Sequence, residues 1–153
     1  ERGALGLVIN RPTELTLETL FDRIDLKLEI VPWKDAPVFF GGPVQTERGF
    51  VLHGPPTAYS STLPVAPEVS LTTSKDVLEA VAGGSGPEKM LVTLGYSGWG
   101  AGQLENEIAQ NAWLTVTAQP DIIFDTPADE KYNAALKLLG VDTLQLSGQA
   151  GHA

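Results

Sequence analysis

The densest run of side chains able to do chemistry is Tyr96-Ser97-Gly98-Trp99-Gly100-Ala101-Gly102-Gln103-Leu104-Glu105-Asn106-Glu107. A serine flanked by glycines, behind an apolar run and ahead of a helical pattern, has the outline of a nucleophile elbow, which presents an activated hydroxyl for acyl transfer. The elbow frame Gly-x-Ser-x-Gly needs glycine at 99, where this chain has tryptophan. The nearest base is His53, on an earlier segment with no assigned acid behind it. A hydrolase using Ser97 and His53 therefore ranks behind the binding readings, and no catalytic set is assigned. The glycines fit a tight strand-to-helix turn whose amides face outward at the helix start, where a small anion can sit.

The helix after Trp99 carries the sharper signal. Ala101, Leu104 and Ile108 form an apolar stripe, and the spacing i, i+3, i+4, i+7 gives the remaining place to Glu105. A carboxylate on an inward stripe costs several kcal/mol unless it is paired or hydrogen-bonded, so the pattern predicts a partner among Arg11, Arg48 and His53. The alternative is an acid in an early helical turn facing water, where the macrodipole favours it. Gln103, Asn106, Glu107 and Gln110 make a second stripe that is simply polar. Arg11 precedes Pro12 and is held extended, which suits a fixed salt bridge or a surface contact. Trp99, on a glycine-flanked turn, is placed to wall a pocket.

Composition narrows the rest. The 153 residues make one domain, and with 42% apolar and 19% charged residues they can close a core. Cysteine is absent and histidine occurs twice, so the sequence offers no disulfide frame, thiolate nucleophile or histidine-rich zinc site, and no metal or cofactor is expected. The net charge of −9, with lysines scattered and acids on every helix, argues against direct nucleic-acid contact. No run approaches the roughly 18 apolar residues of a membrane span. Gly83-Gly84-Ser85-Gly86-Pro87-Glu88-Lys89 lacks the Gly-Lys-Ser/Thr ending of a phosphate loop and reads as a linker turn. The chain starts at Glu1 without a Met, directly before a strong strand, so residues preceding Glu1 are expected.

These residues need elements to hold them. Residues 4–9 read as an interior strand needing neighbours on both sides, ended by Asn10-Arg11-Pro12. Leu17, Leu20, Phe21 and Ile24 behind Thr16 predict a short amphipathic helix. Short strands follow at 38–40, 49–53, 62–65 and 69–72, then a helix from Ser74 to Ala82. A strand at 90–94, a turn at 95–100 and a helix at about 101–111 lead to strands at 113–117 and 121–124. A last helix after Thr126-Pro127 buries Tyr132, Ala135, Leu136 and Leu139 and stops at Gly140. Such an order predicts a single α+β domain over residues 1–146: a twisted, bulged, mainly antiparallel sheet with about four helices packed around it, and a frayed tail at 147–153.

Four strings occur together: Gly6-Leu-Val-Ile-Asn10-Arg11-Pro12, Gly41-Gly42-Pro43-Val44, Gly49-Phe-Val-Leu-His53, and the run from Gly95 through Trp99 to Gln103-Leu-Glu105-Asn-Glu107. They are followed by Asn111-Ala-Trp113-Leu and Asp121-Ile-Ile-Phe124. In this order they resemble the bacterial YqgE/AlgH family, from Gly3 to about Leu146. The resemblance implies a cytoplasmic α+β protein with a highly twisted sheet, commonly labelled a transcriptional regulator, and it brings no catalytic residues. It also implies a further segment before the first string, containing a strand and often a cysteine.

Taken together, the expectation is a binding or regulatory module acting through a cleft for a small anionic or polar ligand or a protein partner. DNA binding is the runner-up. The cleft is expected where Asn10, Arg11 and Pro12, the Gly41-Gly42 turn and the Tyr96–Glu105 stretch converge. There Arg11 would orient Glu105, Trp99 would form the wall, and Arg48, His53, Gly98 and Gln103 would complete the lining.

Overall fold

The computed structural model describes residues 3–140, and the tail expected at 147–153 lies outside them. Within them the chain forms β1 (Ala4–Gly6), β2 (Pro12–Thr16), α1 (Leu17–Arg23), α2 (Val31–Lys34), β3 (Pro37–Phe40) and β4 (Val44–Gly54). β5 (Thr62–Ala66), β6 (Val69–Thr72), α3 (Asp76–Ala82), β7 (Lys89–Trp99), α4 (Gln103–Ala109) and α5 (Lys131–Leu138) follow. The sheet runs β2-β3-β7-β4-β6-β5, with β1 also on β7. It is an open, mostly antiparallel seven-stranded sheet in a single α+β domain, the class expected. Only the β3–β7 pair is parallel among the described strands.

The long pair β4 and β7 forms the spine, and strand alternation assigns its side chains to two cores. On one face Val51, Met90 and Val92 meet Leu17 and Phe21 of α1 and Val77 and Val81 of α3, with Val38 from β3. On the other, Phe50, Leu52 and Leu91 meet Phe39, Val69, Leu71 and Ile123. α1 forms where the sequence placed it: the Thr16 side chain accepts a hydrogen bond from the Thr19 amide, and Leu17 and Phe21 are buried.

Several local expectations are corrected. β7 does not turn at Gly95 but continues to Trp99, because Gly95 takes φ 81° and absorbs the irregularity within the strand. The segment at 4–9 is a strand only over Ala4–Gly6, pairs only with β7 among the described strands, and leaves Leu5 exposed. Residues 113–117 fall in no helix, turn or bend and pair with no strand among the described residues, and Asp121–Asp125 is one turn of π-helix rather than a strand. β2 and α2 carried no sequence signal strong enough to be expected. α5 buries Leu136 as expected, but Tyr132 and Leu139 are exposed and Lys131 is buried in their place.

Candidate functional site

α4 lies on the surface with no buried residue. What fixes it is a carboxylate: Glu107 Oε1 accepts the indole N–H of Trp113 at 2.8 Å and that of Trp99 at 3.2 Å, and Oε2 accepts from the Gln103 amide at 3.1 Å. The two indoles meet edge to face at 5.9 Å. Gln103 also accepts from the Gly100 amide at 2.9 Å, so one side chain ties the turn before the helix and helps hold the acid. The Trp113 hydrogen bond holds the Glu107 carboxyl below its ordinary value of 4.5; Gln103 and Trp99 add to this, against an opposing effect of burial.

Beyond this clamp the chain runs without helix, turn or bend over residues 113–118, where no backbone group pairs with another among the described residues. Trp113, Leu114 and Val116 are 48%, 61% and 40% exposed. With Tyr132, Ala135 and Leu136 across from them, they line an apolar groove of about 430 Å³.

The strings expected to converge do so in part. The Gly41-Gly42 turn crosses β7 backbone on backbone: a Cβ on Gly42 would overlap the Tyr96 carbonyl, and one on Gly95 the Gly42 carbonyl. The Val8 amide donates to Gly41 and the Phe40 amide to Arg11, which brings the Asn10-Arg11-Pro12 corner beside the same turn. Trp99 packs over Gly6, while Gly98 pairs with Leu5. Arg48 and Tyr96 share a hollow over Phe50.

Other placements are corrected. Arg11 is exposed with its guanidinium 5.3 Å from the Phe40 ring centroid, so it does not orient Glu105. Glu105 is exposed, and no side chain pairs with it among the described residues. The reason is physical: α4 does not dock its apolar stripe on the sheet, so that stripe never defines an inside for Glu105 to face. His53 stands apart in the core, fully buried, its Nε2 sharing a 2.7 Å hydrogen bond with Thr72 Oγ1. Because Met90 is the β7 partner of His53 and Ser97 lies seven residues farther along that strand, roughly 20 Å separates them at about 3.3 Å per residue. That is far beyond proton-transfer reach.

Lys131 was not anticipated. It is 4% exposed, donates to the Ile9 carbonyl at 2.8 Å and lies 4.7 Å from the Phe39 ring centroid. Burial pushes its amine down to about 8. A helical stripe that offered Tyr132 as the inward residue gave no hint of it. Glu107 was readable in principle: two indole N–H groups flanking one short helix each need an acceptor, and the acid between them supplies it.

No helix among the described residues is long and apolar enough to cross a membrane. Among the cations, Lys34 and Lys89 pair with Glu18 and Asp125, and Lys131 is buried.

Residues 1–144 match the AlgH-like family model, DUF179. The chain is 71% identical to a UPF0301 protein of Bordetella petrii, over 99% of this chain and 75% of that one. It is 65% identical to a UPF0301 protein of Cupriavidus pinatubonensis, over 100% of this chain and 80% of that one. The solution structure of the AlgH protein from Pseudomonas aeruginosa superimposes with TM-score 0.77 at 50% identity, covering 99% of this chain and 80% of that one. A Corynebacterium diphtheriae crystal structure shares the fold with TM-score 0.62 at 17% identity, over 83% of this chain and 65% of that one. The chain belongs to the AlgH-like (UPF0301) family.

Proposed function

We propose that this chain is a regulatory binding module whose partner is another protein, taken up as an extended segment along residues 112–118. The observation that carries the reading is the apolar-and-hydroxyl stretch Trp113-Leu-Thr-Val-Thr-Ala118, unpaired among the described residues and set beside the exposed face of α5. An unpaired extended backbone is a template for strand addition, and side chains of alternate residues give such pairing its specificity. The clamp supports the reading because it fixes the near end of the stretch at Trp113. Glu105, Asp121, Asp129 and Glu130 are exposed on the elements that flank the groove in the chain, so a partner segment with cationic ends is favoured.

The test is a photo-crosslinking residue placed at 114 in living cells, with a control at the exposed Glu29. The expected result is an adduct with one other protein from position 114, absent from the control and lost when Val116→Asp is added. Adducts confined to the chain itself, or to a second copy of it, would refute the reading.

A further inference from the structure

We propose a second site, independent of the partner surface: the hollow beneath the β4 bulge binds a small monocarboxylate with a flat apolar body. The bulge itself comes first. Between the pairs Val44 with Tyr96 and Gly49 with Leu94, β4 advances five residues while β7 advances two, and Gln45 takes φ 47°. Bulges of this kind re-aim side chains beside functional sites. Here the guanidinium of Arg48 is laid over the Phe50 ring, 5.4 Å from its centroid.

That guanidinium is available. Its hydrogen bond among the described residues is a long one, from Nη1 to Gln45 Oε1 at 3.4 Å, and no carboxylate pairs with it. Below it the Tyr96 ring meets Phe50 edge to face at 5.7 Å, giving an aromatic floor, and Leu5, Leu63 and Leu71 supply apolar walls. The rim is hydroxylic. Ser61 Oγ and Thr73 Oγ1 lie 2.8 Å apart, and whichever of them donates in that bond, the other keeps its hydrogen for a ligand. The hollow measures about 410 Å³, within the usual range for small-molecule sites.

Charge decides the ligand class. Arg48 is the one cation lining the hollow among the described residues, in a chain of net charge −9. A dianionic phosphate would carry a second negative charge into that field with nothing to meet it. A carboxylate matches the guanidinium fork with both oxygens and one charge, and the apolar walls and ring floor select a flat hydrocarbon body behind it.

The hollow and the groove at Trp113 share no lining residue, and the experiment needs no partner protein, so the two proposals fail separately. Benzoate, phenylacetate and 3-phenylpropionate are titrated into the protein and followed by amide and side-chain NMR shifts. The uncharged 3-phenylpropanol and inorganic phosphate serve as comparisons. The expected result is saturable binding of at least one of the three acids below about 10 mM, with shifts at Arg48, Tyr96 and Ser61, and at least about tenfold weaker binding of the alcohol and of phosphate. Arg48→Met keeps the stem over Phe50 and is expected to weaken binding at least about tenfold while leaving the spectrum of the free protein intact elsewhere. No saturable binding by any of the acids, equal binding of acid and alcohol, or undiminished binding to Arg48→Met each overturns the proposal.

Discussion

Glu107 is a surface-helix acid that three donors have made structural. Because its folded value lies below the ordinary 4.5, it contributes stability that is complete above 4.5 and lost as pH falls through the depressed value. Tryptophan emission should follow the same event, since both indoles donate to this group. The expected acid midpoint of the fluorescence change lies below 4.5, and Glu107→Gln should abolish that transition. Lys131 titrates the opposite way in charge but in the same sense of linkage. Burial lowers its value from 10.5 to about 8, so the unfolded chain binds more protons and the folded state gains stability as pH rises from about 8 to 10.5. Denaturant midpoints measured over that window should show the rise in the native protein and a flatter profile in Lys131→Met. The sequence pointed to an out-of-place carboxylate on the helix after Trp99 and named Glu105. The donors gather instead on Glu107, from the stripe that reads as simply polar, because a helix that docks on nothing has no inward face to read.

At the scale of elements, what was legible follows from how locally each one is determined. α1 is written in its cap and its stripe, and β6 in a run of four residues bounded by turns. The stretch at 113–117 has strand composition but no strand partner among the described residues, and propensity alone does not make a ladder. Gly95 looks like punctuation in the sequence, whereas its φ of 81° keeps β7 running where it crosses the Gly41-Gly42 turn. That crossing is intolerant of side chains: Gly42→Ala places a methyl on backbone atoms of Tyr96 and Ser97, and a loss of more than about 2 kcal/mol in chemical denaturation is expected. α4 should behave oppositely. Trp113→Phe removes one of the two indole tethers on it, so hydrogen exchange over residues 103–111 is expected to accelerate several-fold while the global midpoint moves little.

Over the whole molecule, class and family were legible because they rest on many residues at once, whereas the cleft rested on one pair. Arg11 and Glu105 do not meet, yet the Gly41-Gly42 turn, the Asn10-Arg11-Pro12 corner and β7 do converge, and Arg48 with Tyr96 opens a hollow close by on β4 and β7. Net charge and the engagement of Lys34, Lys89 and Lys131 lead to a further expectation: promoter DNA titrated at low and high salt should bind weakly, without the steep salt dependence that phosphate contacts impose.

The central claim is that residues 113–118 stand displayed and unpaired with any other described residue, held at one end by the indole–carboxylate clamp. Amide hydrogen exchange of Leu114 to Ala118 in the isolated protein measures this directly. Rates close to those of an unstructured peptide are predicted there, beside slow exchange in β4 and β7; strong protection of these amides in the absence of any partner would contradict it.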